Sequence, residues 1–431
     1  MTVTHKVDPK NEPVKQPARP PLIKIMGPGL ITGASDDDPS GIGTYAQAGA
    51  QYGYALGWTL LLTFPLMSAI QQISARVGRV TGRGLAGNLK RFFPAPVLYG
   101  LVGLLCFANV INIGADLGAM AAALKLMIGG PALLYVALFA VVSAALEIFA
   151  RYSRYVSALK WLTLTLFAYV GTVLVVHVPW GEVLRKLVVP HIQWDRDYIL
   201  TIVAVLGTTI SPYLFFWQAS QEVEKEREDP KAHPLKGAPD EAPAELRRIS
   251  LDTDIGMAFS NLIALCIMIT AAATLNAQGI TQIDDAAQAA EALRPLAGQF
   301  AFALFALGII GTGLLALPVL AGSVGYALGE ALGWPVGLAK LPHRARAFYA
   351  TIAVATAVGA ALNLTGIEPM RALVWAAVVN GVVAVPVMAM TLAVASRKAV
   401  MGTFQLTGML RVMGWLATAV MAASVIALIL L

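Results

Sequence analysis

Charge is scarce in this chain. Only 13% of its 431 residues are Asp, Glu, Lys or Arg, against roughly 25% in ordinary soluble domains, while 57% are hydrophobic. That balance excludes a water-soluble globular protein and points to an integral membrane protein. Cysteine is nearly missing as well. Cys106 and Cys266 both lie in apolar stretches, where they read as small core residues, so neither a thiolate metal cluster nor a disulfide framework is available. The five histidines (His5, His177, His191, His233, His343) fall in tails, loops or ends of apolar segments. No nucleophile motif and no phosphate-cradling glycine loop occurs, which argues against an enzyme. The net charge of +6 is scattered over loops and implies no nucleic-acid partner. Residues 1–24 are polar, Pro-rich and basic; lacking an apolar core, they read as a tail and not as a cleavable signal peptide.

What is present is a series of apolar stretches long enough to span a bilayer, which takes about 20 residues. They fall near 25–49, 54–76, 97–123, 131–150, 156–178, 198–221, 254–275, 297–325, 347–365, 372–395 and 409–431. Eleven transmembrane helices are therefore expected. The one long polar stretch between them, Glu222 to Ser250, reads as a flexible loop with a short surface helix. Placing the N-terminus in the cytoplasm puts 25 of the 31 Lys and Arg residues on the inside. The outside then keeps Lys125, Arg185, Lys186, Arg196, Arg294 and Arg371, so the positive-inside rule predicts a cytoplasmic N-terminus and an extracytoplasmic C-terminus. Arg151 and Arg154 fit that rule and need no site role.

Within the first span stand three consecutive aspartates, Asp36-Asp37-Asp38, followed by Pro39-Ser40-Gly41. An aspartate at mid-bilayer depth costs about 2.5–3.5 kcal/mol on insertion scales. Three together require water, a cation or both. Pro39 lacks a backbone donor and Gly41 tolerates unusual angles, so the helix is expected to break there. The sixth span carries a second mid-span proline in Gly207-Thr208-Thr209-Ile210-Ser211-Pro212-Tyr213. Five spans separate the two breaks, and an odd number per repeat forces opposite orientations. Inverted repeats of spans one to five and six to ten follow, and paired interruptions are a pointer to a carrier's binding site. The chain divides accordingly into a cytoplasmic tail (1–24), a first repeat (25–178), an outer loop (179–197), a second repeat (198–395) with an inner loop at 222–250, and an eleventh span (396–431).

These residues resemble the Nramp family of divalent metal transporters. Gly27-Pro28-Gly29-Leu30, Asp38-Pro39 eight residues on, Gln51-Tyr52-Gly53-Tyr54, Leu56 and Trp58 are similar to that family's opening. Ser74-Ala75-Arg76-Val77-Gly78 and Thr81-Gly82-Arg83 resemble the end of its second span. The likeness runs through about the first 170 residues, returns near the sixth span and weakens in the last third. It implies a LeuT-like all-α membrane fold that works as a monomer in the plasma membrane, with a divalent cation as substrate and no cofactor. The departures matter too. Where the family has Asp-Pro-Gly-Asn, this chain has Asp38-Pro39-Ser40-Gly41, so Gly41 replaces an asparagine ligand. Met-Pro-His becomes Ser211-Pro212-Tyr213, a second histidine aligns with Gln218, and Asp116 is kept while Ala119 stands where a glutamate is usual.

A donor set of carboxylate, hydroxyl and carbonyl oxygens is hard, and suits Mg²⁺, Mn²⁺ or Ca²⁺ above softer ions. With fewer protein ligands, the ion is expected to keep part of its water, as Mg²⁺ prefers. Nramp-related carriers lacking the methionine are associated with Mg²⁺ and Mn²⁺, and this chain looks similar in that respect. Loss of both histidines predicts weak or absent proton coupling; Asp116, Tyr213 and Gln218 mark the remaining candidate proton path. The expected metal ligands are Asp38 first, then Asp37 and Asp36, which cannot all face one ion because successive helical residues point about 100° apart. Ser211, the backbone carbonyls of Ser35 and Thr208, and Asn380 complete the set. For each a plainer role competes: an N-cap for Asp38, back-bonding for Ser211, a helix–helix hydrogen bond for Asn380. Pro39, Gly41 and Pro212 are expected as helix breakers. Gly43 is structural, Phe215, Phe216 and Trp217 are packing or lipid-facing aromatics, and Asp284-Asp285 is a solvated face. Two other transport functions compete: a proton-coupled Mn²⁺/Fe²⁺ importer, and a cation-coupled carrier of another solute on the same fold. Three aspartates would repel an amino-acid carboxylate, and paired breaks favour alternating access over a channel.

Overall fold

The computed structural model describes residues 28–149, 162–229 and 231–431. The N-terminal tail (1–24), the start of the fifth apolar stretch, Arg151 and Arg154 lie outside the described residues. Helices of eight residues or more are α1 (Pro28–Asp36), α2 (Pro39–Tyr52), α3 (Gly57–Thr81), α4 (Leu85–Phe92), α5 (Ala95–Ile128), α6 (Ala132–Phe149), α7 (Phe167–Val175), α8 (Trp180–Val188), α9 (Arg196–Thr209), α10 (Pro212–Glu228), α11 (Ala242–Thr274), α12 (Ala301–Leu332), α13 (Arg346–Leu362), α14 (Pro369–Ala395) and α15 (Gly408–Leu430). No strand occurs among the described residues.

Eight of the described helices or helix pairs are long and apolar enough to cross a membrane, and the pair Leu164–Val175 and Trp180–Val188, bent by 117°, would make a ninth. Two of the eleven expected spans fall short by that measure. One is the first, split into pieces of 9 and 14 residues. The other is α3, which buries Thr59, Thr63, Ser68, Gln71, Gln72 and Ser74 and is correspondingly polar. Both bury their polar residues against other helices, and α3 still leaves Leu61 and Leu62 exposed. α15 leaves Met409, Val412, Trp415, Ile426, Ile429 and Leu430 exposed, as a lipid-facing helix would.

Both expected breaks are present. α1 gives way to α2 at Asp37-Asp38, and α9 to α10 at Ile210-Ser211. Each new half-helix starts with proline at its first position, where the missing N–H would have had no partner anyway. Gly41 does not interrupt the chain as expected; it lies inside α2 and is helical and buried. Its contribution is space, not flexibility. Gly43 is also helical, with its side-chain direction filled by Leu373.

Backbones approach closely where the broken helices dock. A Cβ on Gly33 would fall 2.4 Å from the Gly256 carbonyl, and one on Gly29 would fall 2.8 Å from the Thr253 nitrogen, so α1 lies on α11 with no side chain between. Gly207 meets Ala377 and Gly381 likewise, which seats α9 on α14.

The expected loop from Glu222 to Ser250 is mostly helix. α10 runs on to Glu228 and α11 begins at Ala242. Five of its charges, Glu222, Glu226, Glu241, Glu245 and Arg248, are held in ion pairs, while others such as Arg227, Glu228 and Arg247 are exposed. The Arg79 guanidinium, on α3 and 4% exposed, meets Glu241 at 2.9 Å, Glu245 at 3.1 Å and Glu226 at 3.7 Å. Arg248 pairs with the buried Glu222 and with Glu245. Phe215, Phe216 and Trp217 are fully buried packing residues, not lipid-facing ones. Asp284 meets Arg371 at 3.4 Å, and Asp285 caps a short helix by accepting from the Gln288 N–H.

Candidate metal site

The aspartate run straddles the first break. Asp36 is the last residue of α1, Asp37 lies in the gap and Asp38 is the N-cap of α2; all three are at most 2% exposed. They face two ways, as their angular spacing requires. The Ser260 hydroxyl on α11 lies 2.7 Å from Asp36 Oδ2 and 3.2 Å from Asp37 Oδ1, so one proton serves two carboxylates. Asp38 faces α5 and α10 instead. Its Oδ1 accepts from the Gly41 N–H at 2.6 Å, and its Oδ2 accepts from Asn112 Nδ2 at 2.9 Å and from the Tyr213 hydroxyl at 3.4 Å.

A second group of polar side chains reaches the break from α5 and α14. Asn380 donates to Asn112 Oδ1 at 3.3 Å, which links α14 through Asn112 to Asp38. Asp116, one turn beyond Asn112 on α5, accepts from the Ser40 N–H at 3.2 Å. The Ser40 hydroxyl in turn donates to the Leu373 carbonyl at 2.9 Å. Asn380 thus has the helix–helix hydrogen bond that competed with a ligand role.

The sixth-span residues arrive from α9 and α10. Tyr213 also donates to the Ser35 carbonyl at 3.4 Å. The Ser211 hydroxyl donates to the carbonyls of Gly207 at 3.0 Å and Thr208 at 2.8 Å, so its proton is used within its own helix end and the Thr208 carbonyl is already engaged. Gln218 stands apart: it donates to Thr253 at 2.9 Å, and no bond ties it to Asp38, Asp116 or Tyr213 among the described residues. The expected trio for a proton path is therefore two residues at the site and one beside it.

The site is rich in buried acceptors. α1 and α9 end here with negative dipole ends while α2 and α10 begin here with positive ones, so the helix dipoles oppose one another at the break. Three buried oxygens around the break have no hydrogen-bond partner among the described residues: Asp36 Oδ1 on the α11 side, and Asp116 Oδ2 and Asn380 Oδ1 on the side of Asp38. An unpartnered buried polar atom costs about 1–3 kcal/mol, and more when charged. Among the described residues no three His, Cys, Asp or Glu side chains converge as a closed metal centre would need.

Sequence reasoning missed Asn112, Ser260 and Asp252. Asn112 carried a signal, since it lies four residues before Asp116 and so on the same helix face. Ser260 carried none; a serine in an apolar span is usually back-bonded. Asp252, on α11, accepts from the Gly29 N–H at 2.7 Å and the Leu30 N–H at 3.2 Å and so caps α1. It lies just past the polar stretch that ends at Ser250, where nothing in the sequence pairs it with α1.

Residues 29–431 match the sequence profile of the family described as "Natural resistance-associated macrophage protein-like" (Nramp). Among curated relatives, a divalent metal cation transporter MntH of Burkholderia ambifaria is 26% identical over 416 residues, covering 93% of this chain and 87% of the relative. The MntH of Yersinia enterocolitica is 28% identical over 312 residues, covering 70% and 72%. Of solved structures, a point mutant of the Eremococcus coleocola manganese transporter superposes with a TM-score of 0.70 at 18% identity, over 94% of this chain and 85% of that one. Mhp1, a nucleobase-cation-symport-1 family transporter, superposes with a TM-score of 0.56 at 12% identity, over 94% and 92%. Those superpositions show an all-helical membrane protein with a LeuT-like fold. The chain belongs to the Nramp family, a family of multi-pass membrane transporters and not of enzymes.

Proposed function

We propose that this protein carries divalent metal cations across the membrane by alternating access, with Asp38 as the principal ligand at the meeting of the two helix breaks. The observation that carries the reading is the surplus of buried acceptors. Asp38 is tied through Asn112 to Asn380, Asp116 accepts from the Ser40 N–H at the head of the same half-helix, Asp36 lies two residues before Asp38, and one buried oxygen each of Asp36, Asp116 and Asn380 lacks any donor among the described residues. A cation supplies what they lack. A donor set drawn from several helix ends suits an ion that must leave again, held partly by water and by carbonyls at the ends of α1 and α9. MntH relatives are named as divalent metal cation transporters, which supports the same substrate class.

The oxygen-only donor set favours hard ions, Mn²⁺ and Mg²⁺. With tyrosine and glutamine at the two histidine positions, transport is proposed to proceed without obligatory proton coupling. One observation favours the competing proton-coupled import: Asp116 Oδ2 is buried, unpartnered among the described residues and close to the Asp38 group. The proposed topology has eleven spans, repeats at 25–178 and 198–395, a cytoplasmic N-terminus, an extracytoplasmic C-terminus and a monomeric carrier in the plasma membrane. Reconstituted protein should take up Mn²⁺ and Mg²⁺ saturably, and Asp38→Ala should abolish uptake. Unchanged flux in that variant would sink the site, and metal-dependent acidification of the vesicle lumen would overturn uncoupled transport.

A further inference from the structure

Three hydroxyls line the end of α9 where it meets the aspartate run, and only two of them are used by their own helix. Thr209 donates to the Val205 carbonyl, and Ser211 donates to the carbonyls of Gly207 and Thr208. Thr208 is 2% exposed, yet its hydroxyl is not back-bonded in this way. It faces Gly41 across the gap between the two breaks. A Cβ on Gly41 would come 3.2 Å from Thr208 Oγ1, 3.3 Å from the Asp36 carbonyl oxygen and 3.4 Å from Asp38 Oδ1. The space left by the missing side chain is thus bounded by three oxygens of three kinds: hydroxyl, carbonyl and carboxylate. Each comes from a different structural source, the end of α9, the end of α1 and the N-cap of α2.

We propose that Thr208, through its side-chain hydroxyl, and Gly41, through its missing side chain, set the preference of the site for hard divalent cations. This rests on the proposed transport function and adds the residues that choose among substrates. The assignment adds the Thr208 hydroxyl to the backbone carbonyl expected on sequence, which keeps a second lone pair beside its bond from Ser211. A hydroxyl oxygen helps an ion that binds oxygen strongly, directly or through a retained water, and helps a sulfur-seeking ion far less. With no side chain at Gly41 the three oxygens stay open to an ion, whereas an inserted carbon would press on all of them at 3.2–3.4 Å.

The test is titration of the purified full-length protein with Mg²⁺, Mn²⁺ and Cd²⁺ separately, read by calorimetry and by uptake into proteoliposomes. Thr208→Val keeps the shape and removes the hydroxyl. It should weaken Mn²⁺ and Mg²⁺ by about tenfold, the lower end of what removing a supporting contact does at metal sites, and Cd²⁺ by much less, so the Cd²⁺ to Mn²⁺ preference rises. Thr208→Ser should restore the wild-type preference, and Gly41→Ala, whose added carbon crowds three oxygen donors, should weaken Mg²⁺ and Mn²⁺ more than Cd²⁺. If Thr208→Val does not fold, Thr208→Ala makes the same comparison. Equal weakening of all three ions by the valine variant, or a serine variant as poor as the valine one, would overturn the proposal. Asp38→Ala separates the two layers. Wild-type binding in that variant defeats the site itself, whereas loss of binding there with an unchanged Cd²⁺ to Mn²⁺ preference in Thr208→Val defeats only the role of Thr208.

Discussion

Asp252→Ala should release α1, the first half of the first span. Asp252 is the only side chain that caps α1 among the described residues, holding the Gly29 N–H at 2.7 Å and the Leu30 N–H at 3.2 Å. These amides head the helix and have no intrahelical partner. Loss of an N-cap costs about 0.5–2 kcal/mol, and hydrogen bonds to a charged acceptor are worth about 1.5–3 kcal/mol. Taking about 2 kcal/mol, the balance between docked and undocked α1 shifts by about 30-fold, since 1.4 kcal/mol is a factor of ten. Arg248, whose Nη1 lies 4.0 Å from Asp252 Oδ2, keeps Glu222 and Glu245 and is not stranded. Hydrogen exchange followed by mass spectrometry in nanodiscs reads this directly. Amides of Pro28–Asp36 should exchange about 30-fold faster in the variant, while those of α15 stay unchanged. Asp252→Asn, which keeps one acceptor oxygen, should fall between. Wild-type exchange across α1 in a folded Asp252→Ala protein would refute the cap as the element that holds α1 in place.

Asn112→Leu keeps the volume but removes the donor to Asp38 Oδ2 and the partner of Asn380; KM for Mn²⁺ uptake should rise about tenfold, and an unchanged KM would remove Asn112 from the site. Ser260→Ala takes the one hydroxyl shared by Asp36 and Asp37 and should destabilise the metal-free protein by about 1–3 kcal/mol, read as a lower Tm that added Mn²⁺ partly recovers. No Tm change there would show that these carboxylates do not depend on Ser260. Arg79→Ala leaves Glu226, with a side chain only 8% exposed, without its cation; breaking a buried pair costs about 3–5 kcal/mol, reduced here because Glu241 and Glu245 are more exposed. A Tm within a degree of wild type would mean that water already screens the cluster.

The breaks were legible because proline and glycine act locally. Pro39 and Pro212 mark half-helix starts whatever the rest of the chain does, and the paired breaks carried the LeuT-like topology. Asp38 was legible for a similar reason, since an acid at that depth needs an explanation before any contact is known. What stayed hidden depends on distant partners. Asp252 lies 223 residues from Gly29, and nothing near either position announces the bond. Ser260 is tied to Asp36 over a comparable separation. The charged stretch beginning at Glu222 was misread because composition reports how many charges there are, not whether they neutralise one another. Gly41 was misread in the opposite sense: a glycine beside a proline suggested a break, but the helix continues through it.

The contact between α1 and α11 has a kinetic consequence. Helices that interlock through large side chains must ride over one another to part, which adds a barrier on top of the difference in stability. Here Gly29 and Gly33 lie directly on the backbone of Thr253 and Gly256, so no side-chain ridge stands in the way of separation. The surfaces are smooth, and the polar ties sit at the two ends, Asp252 on the Gly29 and Leu30 amides and Asp36 on the Ser260 hydroxyl. Such an arrangement lets a short helix leave and return quickly while its resting position stays well defined. A single methyl at Gly33 would change both properties at once, by forcing the backbones apart and by giving the departing helix something to climb over.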